Sequence, residues 1–410
     1  MKRTVSPFHM ALLAGLLLFG MFYNALLAVL NAHVFPVATL HVMLCEALVL
    51  AGIAYAAYPL RDGAMRPWLL FSGLFVFLYL WVALYNGVLG QEVSPKPLRD
   101  VFLISAYGVL GIAYAKAGLS LPRVLTAAAL AVIAFLLLER FAVDIYGSIF
   151  NPLSYYINTR GFTERVASGL EGLNLFYNTQ LVEGRFSLGF LSTHRLSSLF
   201  LEQTTLANFA IVLAMSLSVL WQDYTVRQRA LVAACALLML LGSDSRMALG
   251  MCAIVLLGHK LWPLLPRLGT LAVMPMLLAL SAMMFYDPQT YTLLNDNLPG
   301  RFGWSLTQLA QIDLQGLLGG RPEMILESMD SGYSYVIYAQ TVFGMVALWL
   351  FTALIVPQRN APARRMAYLL NVFVAVNLMT GPTILSIKTA APLWALAGYV
   401  AYRARQEAVA

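Results

Sequence analysis

The stretch FHMALLAGLLLFGMFYNALLAVLN, residues 8–31, decides the fold. It runs for 24 residues without an Asp, Glu, Lys or Arg. As a helix rising 1.5 Å per residue it is long enough for a hydrocarbon core of about 30 Å. It is too long for the apolar part of a signal peptide, so with Met1-Lys2-Arg3 before it we expect an uncleaved first span. The rest of the chain agrees. Of its 410 residues 60% are hydrophobic and 11% charged, and the mean hydropathy is +0.75. A soluble domain cannot hide that much apolar surface, so the chain is read as all-α and polytopic. The net charge of +7 sits in short connections between apolar runs and gives no basis for nucleic acid as a partner. Cys45, Cys235 and Cys252 lie inside apolar runs and read as small core residues, with no disulfide or zinc pattern.

Working outward, the apolar pattern predicts about twelve spans, at residues 8–31, 37–59, 68–89, 99–117, 121–143, 195–220, 228–242, 246–262, 268–286, 333–356, 365–381 and 383–402. Charge sets their direction. With both termini inside, cytoplasmic connections hold 15 of the 26 Lys and Arg residues, from Lys2 and Arg3 to Arg403 and Arg405. Two connections on the outer face are long, 144–194 and 287–332. The expected organisation is therefore 1–143 with five spans, the loop 144–194, 195–286 with four spans, the loop 287–332, and 333–410 with the last three. Loops of that length commonly carry function or their own structure. The work of the protein is expected on the outer face.

Arg195, Arg246, Arg301 and Arg321 all fall on that outer side, against the usual bias. Bidentate pairing with phosphate is one physical reason for arginine there. In His194-Arg195-Leu-Ser-Ser-Leu-Phe-Leu-Glu202 we expect Arg195 at a helix N-terminus, where free amides also favour an anion. Glu202 would then lie on the same helix face, about 10 Å deeper, where an ionisable side chain is a functional candidate. The bland alternative is a snorkelling arginine and a structurally paired glutamate. Gly242-Ser-Asp244-Ser-Arg246 reads as a tight turn that starts another helix, with an Asp–Arg pair as its structural alternative. Asp330-Ser-Gly-Tyr333-Ser-Tyr335 opens the span that contains Gly344. Asp330 is either an N-cap or a base for a sugar hydroxyl. Gly300-Arg301 and Gly319-Gly320-Arg321 place two arginines on flexible backbone, as closing groups or as solvated charges. The first long loop holds Tyr146, Phe150, Tyr155, Tyr156, Phe162, Phe176, Tyr177, Phe186 and Phe190, read as an aromatic belt or an interfacial helix ahead of a sugar-stacking surface. Glu46 and Lys388 are further charges within spans.

Some patterns are missing. There is no Asp-x-Asp pair, no His or carboxylate cluster at metal spacing, no P-loop and no nucleotide fingerprint. Asn31-Ala-His33-Val-Phe-Pro36 has no acidic residue, although metal-dependent membrane glycosyltransferases often place a catalytic Asp there. The expected donor is lipid-linked rather than a nucleotide sugar.

Three motifs in order, Arg195-x-x-Ser-x-Phe-x-Glu202, Ser245-Arg246 and Asp330-x-x-Tyr333 before Gly344, resemble the O-antigen polymerase (Wzy) and O-antigen ligase (WaaL) superfamily of the bacterial inner membrane. The resemblance covers about residues 190–350 and the span count. It implies metal-independent, inverting transfer of glycan from an undecaprenyl-diphosphate donor to a sugar hydroxyl at the periplasmic face, with no cofactor. By that resemblance Arg195, Arg246 and Arg301 or Arg321 would stabilise the diphosphate, Asp330 or Glu202 would be the base, and His194 and Tyr333 would contact substrate. Membrane lipid, a chain-length regulator and export proteins are the implied partners. Ligases typically have histidine at the place of Asp330, so this chain looks more like a polymerase. Gln203 stands where relatives often have proline. The alternatives are a ligase acting on lipid A-core, and a lipid-linked oligosaccharide flippase or transporter. A transporter should hold its binding charges near mid-membrane.

Overall fold

A computed structural model describes residues 6–161, 173–176, 179, 194–287 and 297–407. The described chain is helical. In order the helices are α1 Pro7–His33, α2 Thr39–Ala57, α3 Arg66–Val88, α4 Lys96–Lys116, α5 Leu121–Phe141, α6 Val143–Phe150, α7 Pro152–Arg160, α8 Gln203–Val219, α9 Val226–Ser243, α10 Arg246–Leu261, α11 Gly269–Phe285, α12 Leu298–Ala310, α13 Leu314–Leu317, α14 Met324–Glu327, α15 Gly332–Leu354, α16 Ala361–Leu378 and α17 Ile387–Gln406. Several starts are written locally. Ser6, Asn151 and Asn360 each cap a helix through the side chain, with Pro in its first turn; proline there loses no helical hydrogen bond. Thr225 and Gln228 form a reciprocal capping box at α9.

Eight helices among the described residues are long and apolar enough to cross a membrane: α1 to α5, α9, α10 and α15, some of them with a short 3-10 extension. Gln203–Val219 and Gly269–Phe285 are apolar but shorter. A helix also overlaps each of the last two expected spans, 365–381 and 383–402.

Contacts divide the chain into two compact units. The first comprises Met1–Leu60, Ala113–Leu257 and Ala391–Leu393; the second comprises Arg61–Ile112, Gly258–Ala390 and Trp394–Ala410. In the first unit α9 packs on α5 and α8, and α1 packs on α2, α6 and α7. In the second, α15 packs on α3, α11, α12, α13, α14 and α16.

Three local expectations are corrected. No helix starts at Arg195. Residues 194–197 are non-helical, Ser198–Phe200 forms a 3-10 turn, and Ser198 and Leu201 take left-handed φ of 52° and 60°. Helix α8 starts only at Gln203, with Glu202 as its N-cap, so Arg195 and Glu202 do not share a helix face. The loop arginines are not on free backbone either. Arg301 lies in the first turn of α12, whose cap is Asn297. Gly319 and Gly320 are buried. Trp81 Nε1 donates to the Leu318 carbonyl (3.3 Å), Asn86 Nδ2 to that of Gly319 (2.7 Å) and Gln315 Nε2 to that of Gly320 (2.8 Å). Finally, Tyr146, Phe150, Tyr155, Tyr156 and Phe176 form neither an exposed belt nor a stacking surface, and the first four lie on the short helices α6 and α7. All five are buried and pack on one another, with ring centroids 5.0 Å apart for Tyr146–Phe150 and 4.5 Å for Tyr156–Phe176. Phe162, Tyr177, Phe186 and Phe190, with Met1, Lys2 and Arg3, lie outside the described residues.

Candidate functional site

In the first unit the site is built on a carboxylate that the sequence reading passed over. Glu139, in the last turn of α5, has no exposed surface. Its oxygens accept from Ser197 N (2.8 Å), Ser198 N (2.6 Å) and Ser197 Oγ (3.1 Å), and His194 Nε2 lies 3.5 Å away. The buried Tyr146 hydroxyl donates to the Ser198 carbonyl at 2.7 Å. These bonds occupy amides that helix-making would otherwise have arranged, and so hold 194–200 in its irregular path.

That path carries Arg195 to the end of α9. Leu196 N donates to the Gly242 carbonyl (2.8 Å) and Arg195 Nε to that of Ser243 (3.0 Å). Arg195 is buried. The carbonyl end of a helix is its negative end, so this arginine is held where a cation is favoured. Asp244 then turns the chain through a left-handed φ of 48°, and Arg246 opens α10 as an exposed first residue. Thus Arg195 is bonded to the turn that leads into Arg246. Arg246 sits at a helix N-terminus as expected; Arg195 sits at a helix C-terminus.

Glu202 is engaged. It pairs with Arg160 at the end of α7, and Thr205 Oγ1 donates to it at 3.1 Å. Arg160 also lies 4.4 Å from the centroid of the Tyr156 ring. A negative charge at the N-cap of α8 is favoured by the helix dipole. These are the contacts of a structural ion pair that ties α7 to α8. Glu46 likewise accepts from Tyr23 Oη at 2.6 Å. His194, at the start of the irregular segment, is buried beside Glu139.

In the second unit, Ser331 rather than Asp330 caps α15: its side chain accepts from Ser334 N. Asp330 is exposed and makes no hydrogen bond or ion pair among the described residues. Tyr333 is buried, its hydroxyl donating to the Ala375 carbonyl at 3.2 Å. Arg321 donates to Asp313 at 2.7 Å and lies 3.9 Å from Glu323. Its hydrogen bond, followed by that from Gly316 N, holds the Asp313 carboxyl below its usual value. Lys388 is buried in the first turn of α17.

A further cluster escaped the sequence reading. Asp100, buried in α4, accepts from Arg99 Nε (2.9 Å), Lys96 Nζ (3.3 Å) and Tyr335 Oη (2.7 Å). The signal was present in Lys96-Pro-Leu-Arg99-Asp100, whose charges at i and i+4 share a helix face. For Glu139 the signal was an acidic residue near the end of an apolar span.

Comparison with protein-family models, with curated proteins and with solved structures finds no match for this chain.

Proposed function

We propose that this chain is a metal-independent glycosyltransferase of the bacterial inner membrane, a polymerase that extends glycan on undecaprenyl diphosphate at the periplasmic face. The proposal includes twelve crossings, both termini in the cytoplasm and the long segments 144–194 and 287–332 outside. The observation that carries it is Arg195 bonded to the Ser243 carbonyl on the turn that leads into Arg246. The acceptor hydroxyl attacks the anomeric carbon, the bond from that carbon to the diphosphate oxygen breaks, and its electron pair stays on the diphosphate. Fixed guanidinium groups stabilise the charge that grows there, more in the transition state than in the ground state. Asp330 takes the acceptor proton. An exposed carboxylate without a structural partner suits that role, whereas Glu202 is held by Arg160 and Thr205. Arg301 and Arg321 would bind the donor's phosphates, Arg321 by exchanging Asp313 for them.

The test uses purified protein and lipid-linked repeat units in detergent, with no membrane gradient and with excess chelator. Wild type should give a ladder of extended products, and Arg246→Ala should lose it while still inserting and melting normally. Arg195→Ala should also lose it, with a lower melting temperature because it uncovers the end of α9. Normal chain length in both variants would sink the diphosphate role. No elongation by the wild type would sink the polymerase.

A further inference from the structure

Helix α15 is interrupted. Within it Thr341 has φ 67° and ψ 169°, a backbone region that is nearly exclusive to glycine. The first half-helix thus ends near Gln340, and carbonyls that would have bonded into the next turn are released.

The side chains at the break are buried and polar. Gln340 is 2% exposed, and Thr341 and Asn86 are fully buried. Both polar atoms of the Gln340 amide, the Thr341 hydroxyl and the Asn86 amide oxygen have no hydrogen-bond partner among the described residues. Two glycines pack closely against these side chains. Gly319, at φ +82°, accepts from Asn86 Nδ2 at 2.7 Å, and a Cβ on it would stand 3.4 Å from Thr341 Cγ2. A Cβ on Gly344 would stand 2.6 Å from Gln340 Cβ, so only glycine leaves room for Gln340 there.

Polar groups left unanswered inside an apolar helix bundle are costly. Here the unanswered acceptors outnumber the donors. The C-terminal end of the first half-helix adds partial negative charge. The oxygens are neutral amides, a hydroxyl and carbonyls, with no carboxylate among them. Such sets at broken membrane helices suit monovalent cations, whereas calcium sites draw on carboxylates. Gln340 also lines a small apolar cavity of about 10 Å³ beside Tyr335 and Val336.

We propose that the break in α15 binds a monovalent metal cation, held by Gln340 Oε1, Thr341 Oγ1, Asn86 Oδ1 and carbonyls freed at the break. The bound ion fastens the two half-helices and the Gly319 turn to α3. It goes beyond the glycan-transfer reading and does not depend on it.

The experiment follows thermal unfolding of the purified full chain in detergent, titrated with sodium, potassium or choline chloride at constant ionic strength. A saturable rise in Tm is expected with an alkali cation over choline. Thr341→Val and Gln340→Met each remove one oxygen ligand at nearly constant size, and each should raise the half-saturating concentration about tenfold or more. Identical melting in all three salts overturns the proposal, as does a cation response that both variants retain; a water at the break gives the first result. Should the variants fail to fold, equilibrium binding of radioactive sodium and rubidium to the wild type decides: saturable binding supports the site, and none overturns it. No glycan is transferred in these measurements, so their outcome is separate from that of the polymerase test.

Discussion

Asp330 and Glu202 are both carboxylates in candidate motifs, and their surroundings separate them. Asp330→Asn removes a charge that nothing else in the described structure uses, so the melting temperature should not move. Glycan transfer should fall by about 100-fold or more, as for loss of a general base. Glu202→Gln should keep most of the activity. Arg160→Ala, which removes the charge partner of the Glu202 carboxylate, should destabilise by roughly 1–3 kcal/mol in denaturant melts. If Glu202→Gln proves dead at normal stability and Asp330→Asn active, the base assignment is reversed. Arg321 offers a kinetic check. Asp313→Asn removes the nearer of the two carboxylates beside its guanidinium, so KM for the lipid-linked donor should fall; an unchanged KM would remove Arg321 from donor binding. Acid has a related effect. Because its folded pKa is lowered, Asp313 keeps the pair at neutral pH and loses it as pH falls through that value, below the ordinary ~3.9.

Among the elements, the 194–200 segment depends on α5. Glu139→Ala would leave two buried amides, those of Ser197 and Ser198, without acceptors, at a cost on the order of 3 kcal/mol. Glu139→Gln keeps one acceptor oxygen and should be milder; equal melting of wild type and Glu139→Ala would show that the carboxylate does not hold the segment. The 313–322 segment depends on α3 and α15 in the same manner. At Gly319 a Cβ would stand 2.6 Å from Val82 Cγ2 on a backbone of positive φ. Gly319→Ala should therefore loosen this segment, seen as faster proteolysis between Asp313 and Pro322. Helices α12, α13 and α14 make 297–332 a folded element, which is why its arginines have fixed positions.

For the chain as an assembly of spans, topology is the quantity to measure. Single cysteines introduced at Asp330, Arg246 and Arg321 in a background without Cys45, Cys235 and Cys252 should react with an impermeant maleimide from outside intact cells. Those at Arg61, Arg227 and Arg359 should react only after permeabilisation. Reaction of Asp330 and Arg227 from the same side would break the proposed crossing pattern and with it the periplasmic reaction.

Length and apolarity alone sufficed for the helical class, for the first five helices and for the entry to α15, because crossing hydrocarbon demands long uncharged runs with internal hydrogen bonding. Local chemistry also placed Arg246 at the start of α10, behind a tight turn. The detour at 194–202 was not legible. Its apolar composition reads as helix, and what prevents helix is Glu139, distant in sequence, taking the amides of Ser197 and Ser198. The pinning of Gly319 by Asn86, the pairing of Arg160 with Glu202 and the break at Thr341 were not legible either. The first two are contacts between segments far apart in the chain, which periodicity and turn residues do not express, and the third is a backbone turn at a threonine, which carries no helix-breaking signal.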